Sequence, residues 1–73
     1  MDDRIEEGPK LTPRQREIIA LLVEGRSAKE IARLLDISHR TVEYHKYQAM
    51  EALGVATNAE LIQLAIRLQI AGP

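Results

Sequence analysis

Residues 27–53 read SAKEIARLLDISHRTVEYHKYQAMEAL, and this stretch predicts two helices joined by a very short link. A serine that can cap a helix stands before each apolar segment, Ser27 before the first and Ser38 before the second. The predicted helices are therefore 28–35 and 39–53, with about three residues between them. So short a link forces the two helices to cross steeply.

Apolar residues at helical spacing give each of these helices one face for a core: Ile31, Ala32 and Leu35 in the first, and Val42, Ala49 and Leu53 in the second. Ile37 in the link is placed to fill the angle between the helices. Asp36 opens the link, where the chain needs a left-handed conformation that aspartate tolerates at modest cost. This pattern predicts a helix-turn-helix, whose second helix enters the major groove of DNA. A plain helical hairpin packed in a core is the alternative.

The side of helix 39–53 that points away from the predicted core has an unusual composition. Arg40, Glu43, Tyr44 and Tyr47 fall on it, in the first half of the helix. Tyrosines favour contacts that use both the ring and the hydroxyl, so a binding face is expected here, with a surface aromatic pair as the plainer interpretation. Lys46 lies nearer the core, and its ammonium is expected to reach outward while its stem packs.

Two more helices complete the predicted fold. A capping box precedes helix 13–24, and another precedes helix 58–71. No segment alternates long enough to predict a strand. The expected fold is all-α: a compact four-helix domain over residues 11–73, preceded by a linker over residues 1–10.

Composition limits the class of protein. A chain of 73 residues forms one domain. It has no cysteine, which excludes disulfides and thiolate metal sites. No apolar run is long enough to cross a bilayer, and the acidic N-terminus is unlike a signal peptide. The cytoplasm is therefore the expected compartment, with no membrane partner.

The formal net charge of −1 hides an uneven distribution. Acidic residues dominate the first seven positions, whereas from Leu11 onward eight basic residues face seven acidic ones. This balance is weaker than the strongly basic footprint of a non-specific DNA coat. It predicts a binder of modest affinity that dimerises to hold its site.

Catalysis is not expected. His39 and His45 are the only histidines, and six helical positions put them about 240° apart, so they cannot share one metal ion. The chain has no glycine-rich phosphate loop. We therefore expect no enzyme activity, no cofactor and no metal.

Four motifs, in matching order, resemble LuxR-type (NarL/FixJ-like) domains: LTPRQRE at 11–17, SAKEIA at 27–32, ISHRTVEYH at 37–45 and LGV at 53–55. The resemblance extends from residue 11 to about residue 68. It implies a four-helix DNA-binding domain, commonly the C-terminal output half of a response regulator in a two-component system. Such domains bind promoter DNA as dimers, through their third helix, and their monomers meet through the fourth.

The resemblance also implies roles for single residues. The base contacts of relatives correspond to Glu43, Tyr44 and Tyr47, and the first of these positions is often lysine in the family. The expected phosphate contacts are Arg40, Thr41 and Lys46, with Lys29 a weaker candidate. Glu43 places a negative charge where relatives often have lysine, and therefore changes which bases this helix is expected to contact.

Helix 58–71 is apolar over much of its circumference. The expected core stripe comprises Leu61, Ile62, Ala65 and Ile66. Leu64 and Leu68 extend the apolar surface beyond it, which predicts a homodimer contact through this helix. The alternative is that both leucines lie at the core edge or under an upstream domain.

Two other functions stay open for the whole chain. One is a protein-interaction module on the same fold, which salt-dependent binding to duplex DNA would distinguish. The other is a sigma-factor-like promoter-recognition domain, although the LGV link and the apolar fourth helix favour the LuxR-type interpretation. RNA polymerase is a further candidate partner of a transcription regulator.

Overall fold

The computed structural model describes residues 11–70, which form four helices. They are α1 (Pro13–Val23), α2 (Ala28–Leu35), α3 (His39–Leu53) and α4 (Asn58–Arg67). The described residues contain no strand, so the all-α prediction is confirmed. The predicted linker over residues 1–10 lies outside the described part of the chain, as do residues 71–73.

Each helix begins at a hydroxyl side chain that accepts a hydrogen bond from the backbone three residues further on. At α1, Thr12 Oγ1 accepts from the Gln15 N–H at 3.0 Å, and Gln15 Oε1 accepts from the Thr12 N–H at 3.0 Å. The starts of α2 and α4 have the same reciprocal capping box. These bonds satisfy N–H groups that have no partner within the helix, so the starts predicted from sequence are found where expected.

Helix α4 ends earlier than its sequence pattern predicts. The expected end was about Ala71, whereas α4 stops at Arg67. Gln69 has a left-handed backbone with φ 58°, and the Ile70 N–H donates to the Ala65 carbonyl at 2.9 Å. This 6→1 bond is a Schellman ending, and it turns Ile70 back against the core. This turn ends α4 before residue 71, the predicted end, which itself lies outside the described residues.

The core lies where α1 meets the other helices. Its buried apolar residues are Ile18, Ile19, Leu22, Ile31, Ala32, Val42, Ala49, Met50, Leu61 and Ala65. Helices α2 and α3 pack against each other and against α1, whereas α4 packs mainly against α1. Because one helix can cover only a narrow stripe of α4, the predicted core stripe was too wide. Ile66, which we expected in the core, is 58% exposed, and Ile62 is only half-buried.

Candidate nucleic-acid interface

The link between α2 and α3 fixes how the second helix is presented. Asp36 has φ 58° and ψ 47°, so the left-handed conformation predicted there is confirmed. The Ile37 N–H donates to the Ala32 carbonyl at 3.0 Å, and Ile37 packs half-buried against the core. The backbone bond and the apolar contact together hold α3 in one orientation relative to α2.

Ser38 starts α3 through two polar contacts. Its Oγ accepts from the Thr41 N–H at 3.0 Å and lies 2.8 Å from Thr41 Oγ1. The hydroxyl of Thr41, one of the predicted phosphate contacts, is thus already hydrogen-bonded within the first turn. It can still reach a further partner, because a hydroxyl both donates and accepts.

An exposed aromatic and basic face covers the outer side of α3. We call it the reading face, and define it as Arg40, Tyr44 and Tyr47. Tyr44 is 59% exposed and Tyr47 is 60% exposed, although large aromatic side chains usually gain by burial. On the opposite side of the same helix, Val42 and Ala49 are fully buried. The structure therefore separates a packed side of α3 from a side that is free to contact another molecule.

Glu43 lies at the edge of the reading face, and its carboxylate is engaged. Oε1 is 3.0 Å from Lys46 Nζ, and Oε2 is 3.4 Å from His39 Nε2. Lys46 is only 8% exposed, and its Nζ lies 5.0 Å from the centroid of the Tyr47 ring. The Lys46 stem packs, as expected, and its ammonium lies against the partly exposed Glu43 carboxylate at the edge of the reading face.

The sequence reasoning did not include this cluster, although its signal was present. His39, Glu43 and Lys46 are spaced i, i+4 and i+7, so they are neighbours on one helix edge. An acid placed between two nitrogen-bearing side chains at those spacings predicts an intrahelical pair. The family resemblance instead assigned Glu43 and Lys46 to contacts with DNA.

The other predicted site residues lie away from α3. Lys29 is exposed at the second position of α2. Leu64 of α4 is half-buried, and Leu68, the residue that follows α4, is 45% exposed. Leu64 lines a shallow groove of about 210 Å³ between α4 and the α3–α4 link, together with Gly54, Val55, Glu60, Gln63 and Arg67. The more exposed apolar residue of α4 is Ile66, which the sequence reasoning had assigned to the core.

Two other kinds of feature are absent among residues 11–70. No group of three or more histidine or acidic side chains converges in a way that could hold a metal ion. No helix in this part of the chain has the length and apolar character needed to cross a membrane.

A short-linked helix pair that presents its second helix at the surface is the architecture of the helix-turn-helix class of DNA-binding domains. The model of the bacterial regulatory proteins of the luxR family matches residues 9–65. The chain belongs to that family. It is a LuxR-type DNA-binding domain of transcriptional regulators, and the family is not one of enzymes.

Similar proteins were found by sequence. The transcriptional regulatory protein MctR of Rhizobium johnstonii is 48% identical over 67 residues, which are 90% of this chain and 31% of MctR. The uncharacterized response regulatory protein YgeK of Escherichia coli is 41% identical over 61 residues, 84% of this chain and 42% of YgeK. The chain thus spans less than half the length of either relative.

Solved structures share the fold. The transcription factor GerE has a TM-score of 0.76 and 40% identity, covering 82% of this chain and 90% of GerE. The Vibrio cholera VqmA–ligand–DNA complex has a TM-score of 0.84 and 29% identity, covering 100% of this chain and 32% of VqmA. The matched region is thus most of the solved GerE chain and about a third of the VqmA chain.

Proposed function

We propose that this domain binds double-stranded promoter DNA at specific sequences, with α3 in the major groove. The observation that carries the proposal is the reading face, where Tyr44 and Tyr47 are more than half exposed on the helix that the turn presents. Each tyrosine offers a ring for apolar contact with a base edge or thymine methyl, and a hydroxyl for a hydrogen bond. The likeness of the domain to VqmA, whose solved structure is a complex with DNA, supports DNA as the partner.

Phosphate contacts position such a domain on the duplex and carry most of its salt dependence. We assign them to Arg40 and Thr41 at the start of α3, and to Lys29 at the start of α2. All of these side chains are at least partly exposed. We do not assign Lys46 to a phosphate, because its ammonium lies against Glu43. We do not assign Glu43 to a base, because its carboxylate lies against Lys46.

We further propose that two copies pair through α4 on DNA. Leu68 is 45% exposed, and Leu64, four positions earlier on the same side, is half-buried and borders the groove. A two-fold contact would cover the same apolar residues on both copies. The patch is small, so we expect the isolated domain to be monomeric at micromolar concentration and to dimerise on a two-half-site operator.

In the cell, we propose that the domain is the output part of a longer response regulator in a two-component system, acting in the cytoplasm. The likeness to YgeK, which is named a response regulatory protein, supports this context. RNA polymerase is the partner through which such a regulator would change transcription.

One experiment tests the central proposal. Duplexes bound by the domain are selected from a random pool and sequenced, and affinity for the selected sequence is measured from low to moderate salt. We expect a defined half-site and a linear fall of log affinity with log salt. A protein-interaction module would select no sequence, and its weak duplex binding, if any, would not depend on the base pairs.

A further inference from the structure

Lys46 is the single side chain among residues 11–70 that is both charged and buried. Its ammonium lies beside Glu43 on one side and the Tyr47 ring on the other, at 3.0 Å and 5.0 Å. The Lys46 stem is packed, which restricts where its ammonium can lie. Glu43 is the opposite charge within reach, so its carboxylate holds the ammonium on α3.

Both oxygens of the Glu43 carboxylate face side chains of α3. One oxygen faces Lys46, and the other lies 3.4 Å from His39 Nε2. To read a cytosine amino group, the base partner expected for a carboxylate, Glu43 would have to share an oxygen that already faces one of these side chains. It would also bring a negative charge among phosphates. The position of Glu43 suits an ion pair within α3 better than a contact with DNA.

We propose that Glu43 is a positioning residue that holds the Lys46 ammonium away from the DNA phosphates and so limits the non-specific affinity of the domain. The inference rests on the proposed function, in which α3 enters the groove. Every lysine or arginine that reaches a phosphate releases counterions and adds affinity for any sequence. Specificity is the ratio of specific to non-specific binding. A lysine held on the protein adds nothing to non-specific binding, so the base contacts of Tyr44 and Tyr47 make up a larger part of the binding free energy.

Removal of the carboxylate has a definite consequence. The unpaired ammonium can leave its buried position, because lysine has a flexible four-carbon stem and is strongly hydrated. From the edge of the reading face it would then reach the phosphates. Glu43→Gln should therefore give a tighter and less selective domain, and only when a lysine is present at position 46.

A double-mutant cycle tests this directly. Glu43→Gln, Lys46→Met and the double variant are compared with the unmodified domain on a duplex without the selected half-site. We expect Glu43→Gln to steepen the slope of log affinity against log salt by about one unit, and to raise affinity roughly fivefold to tenfold at 0.1 M salt. Lys46→Met and the double variant should keep the original slope, and the bases selected by Glu43→Gln from a random pool should be unchanged.

Three outcomes would overturn the proposal. The slope could steepen equally in the Lys46→Met background, which would mean that Glu43 acts by its own charge. Glu43→Gln could change the preference at one base pair in both backgrounds, which would make Glu43 a base reader. Lys46→Met alone could flatten the slope, which would mean that Lys46 already contacts phosphate.

Two controls keep these outcomes interpretable. Circular dichroism and urea unfolding establish that each variant is folded, and Lys46→Gln replaces Lys46→Met in the cycle if the methionine variant is not. If the unmodified domain shows no salt-dependent duplex binding, the proposed function itself fails. If it binds but the cycle is additive, only the role of Glu43 fails.

Discussion

The Ile37 N–H donates a hydrogen bond to the Ala32 carbonyl at 3.0 Å, across a left-handed Asp36. This bond closes α2 and sets the direction in which α3 begins, so the orientation of the reading face depends on a residue outside α3. Left-handed backbone is unfavourable for residues with a Cβ, and less so for aspartate than for most.

The change in stability when Asp36 is substituted should therefore depend on how readily the new residue adopts the left-handed backbone. Lost side-chain contacts should matter little, because the Asp36 side chain is exposed. We expect Asp36→Gly to be at least as stable as the original domain, and Asp36→Ala to be less stable than Asp36→Gly by about 1 kcal/mol. Urea unfolding followed by circular dichroism measures both. An alanine variant that equals or exceeds the glycine variant would mean that residue 36 is not left-handed.

The two ends considered for α4, at Arg67 and at about residue 71, predict opposite changes in the free energy of unfolding for one substitution. Gln69 is exposed and has φ 58°, so Gln69→Gly should stabilise the domain by about 1 kcal/mol. If α4 continued to Ala71, as its sequence pattern suggests, glycine at position 69 would sit inside a helix and destabilise it by about the same amount. The sign of the change in urea unfolding free energy decides between the two helix ends.

Arg40 is expected to contact phosphate. Arg40→Ala should weaken binding to all duplexes, and should flatten the plot of log affinity against log salt by about one unit. Arg14→Ala is the matched control, because Arg14 lies on α1 and is paired with Glu17 at 3.0 Å. Equal slopes for Arg40→Ala and the unmodified domain would remove Arg40 from the interface.

Tyr47 is expected to read a base. Because its side chain is 60% exposed, Tyr47→Ala should change unfolding free energy little but lower discrimination at one base pair of each half-site by roughly tenfold. Tyr47→Phe keeps the ring and separates its contribution from that of the hydroxyl. Competition between the selected half-site and single-base variants measures the effect. Unchanged discrimination in Tyr47→Ala would contradict the assignment.

The dimer contact through α4 is tested by cooperativity. Leu68→Gln and Leu64→Asp should leave binding to a single half-site intact, yet abolish cooperative binding to two half-sites, because each removes apolar surface from the two-fold contact. Leu34→Gln controls for the loss of an exposed leucine elsewhere, since Leu34 on α2 is 55% exposed. Cooperativity that survives both α4 substitutions in folded protein would place the dimer contact on another surface.

The reading face could be predicted because it depends on local rules. Capping residues and helical spacing place Arg40, Tyr44 and Tyr47 on the outer side of α3 from sequence alone. The same rules predicted the left-handed Asp36 and the start of every helix. Each of these features depends on residues within about one helical turn, so no knowledge of distant contacts was needed.

The spacing of Glu43 and Lys46 makes their pairing available from sequence, but only the tertiary structure shows how closely the Lys46 side chain is packed. The packed surroundings leave the side chain 8% exposed, and under that restriction the nearby Glu43 is the favoured partner.

The sequence by itself therefore determined the four helix starts, the turn between α2 and α3 and the exposed side of α3, because hydrogen bonds and sterics within one turn control them. Only the tertiary structure decided where α4 ends and which of its apolar residues stay exposed. A helix that packs on one neighbour buries one narrow stripe, which is why Ile70 turns back to the core while Ile66 and Leu68 remain at the surface.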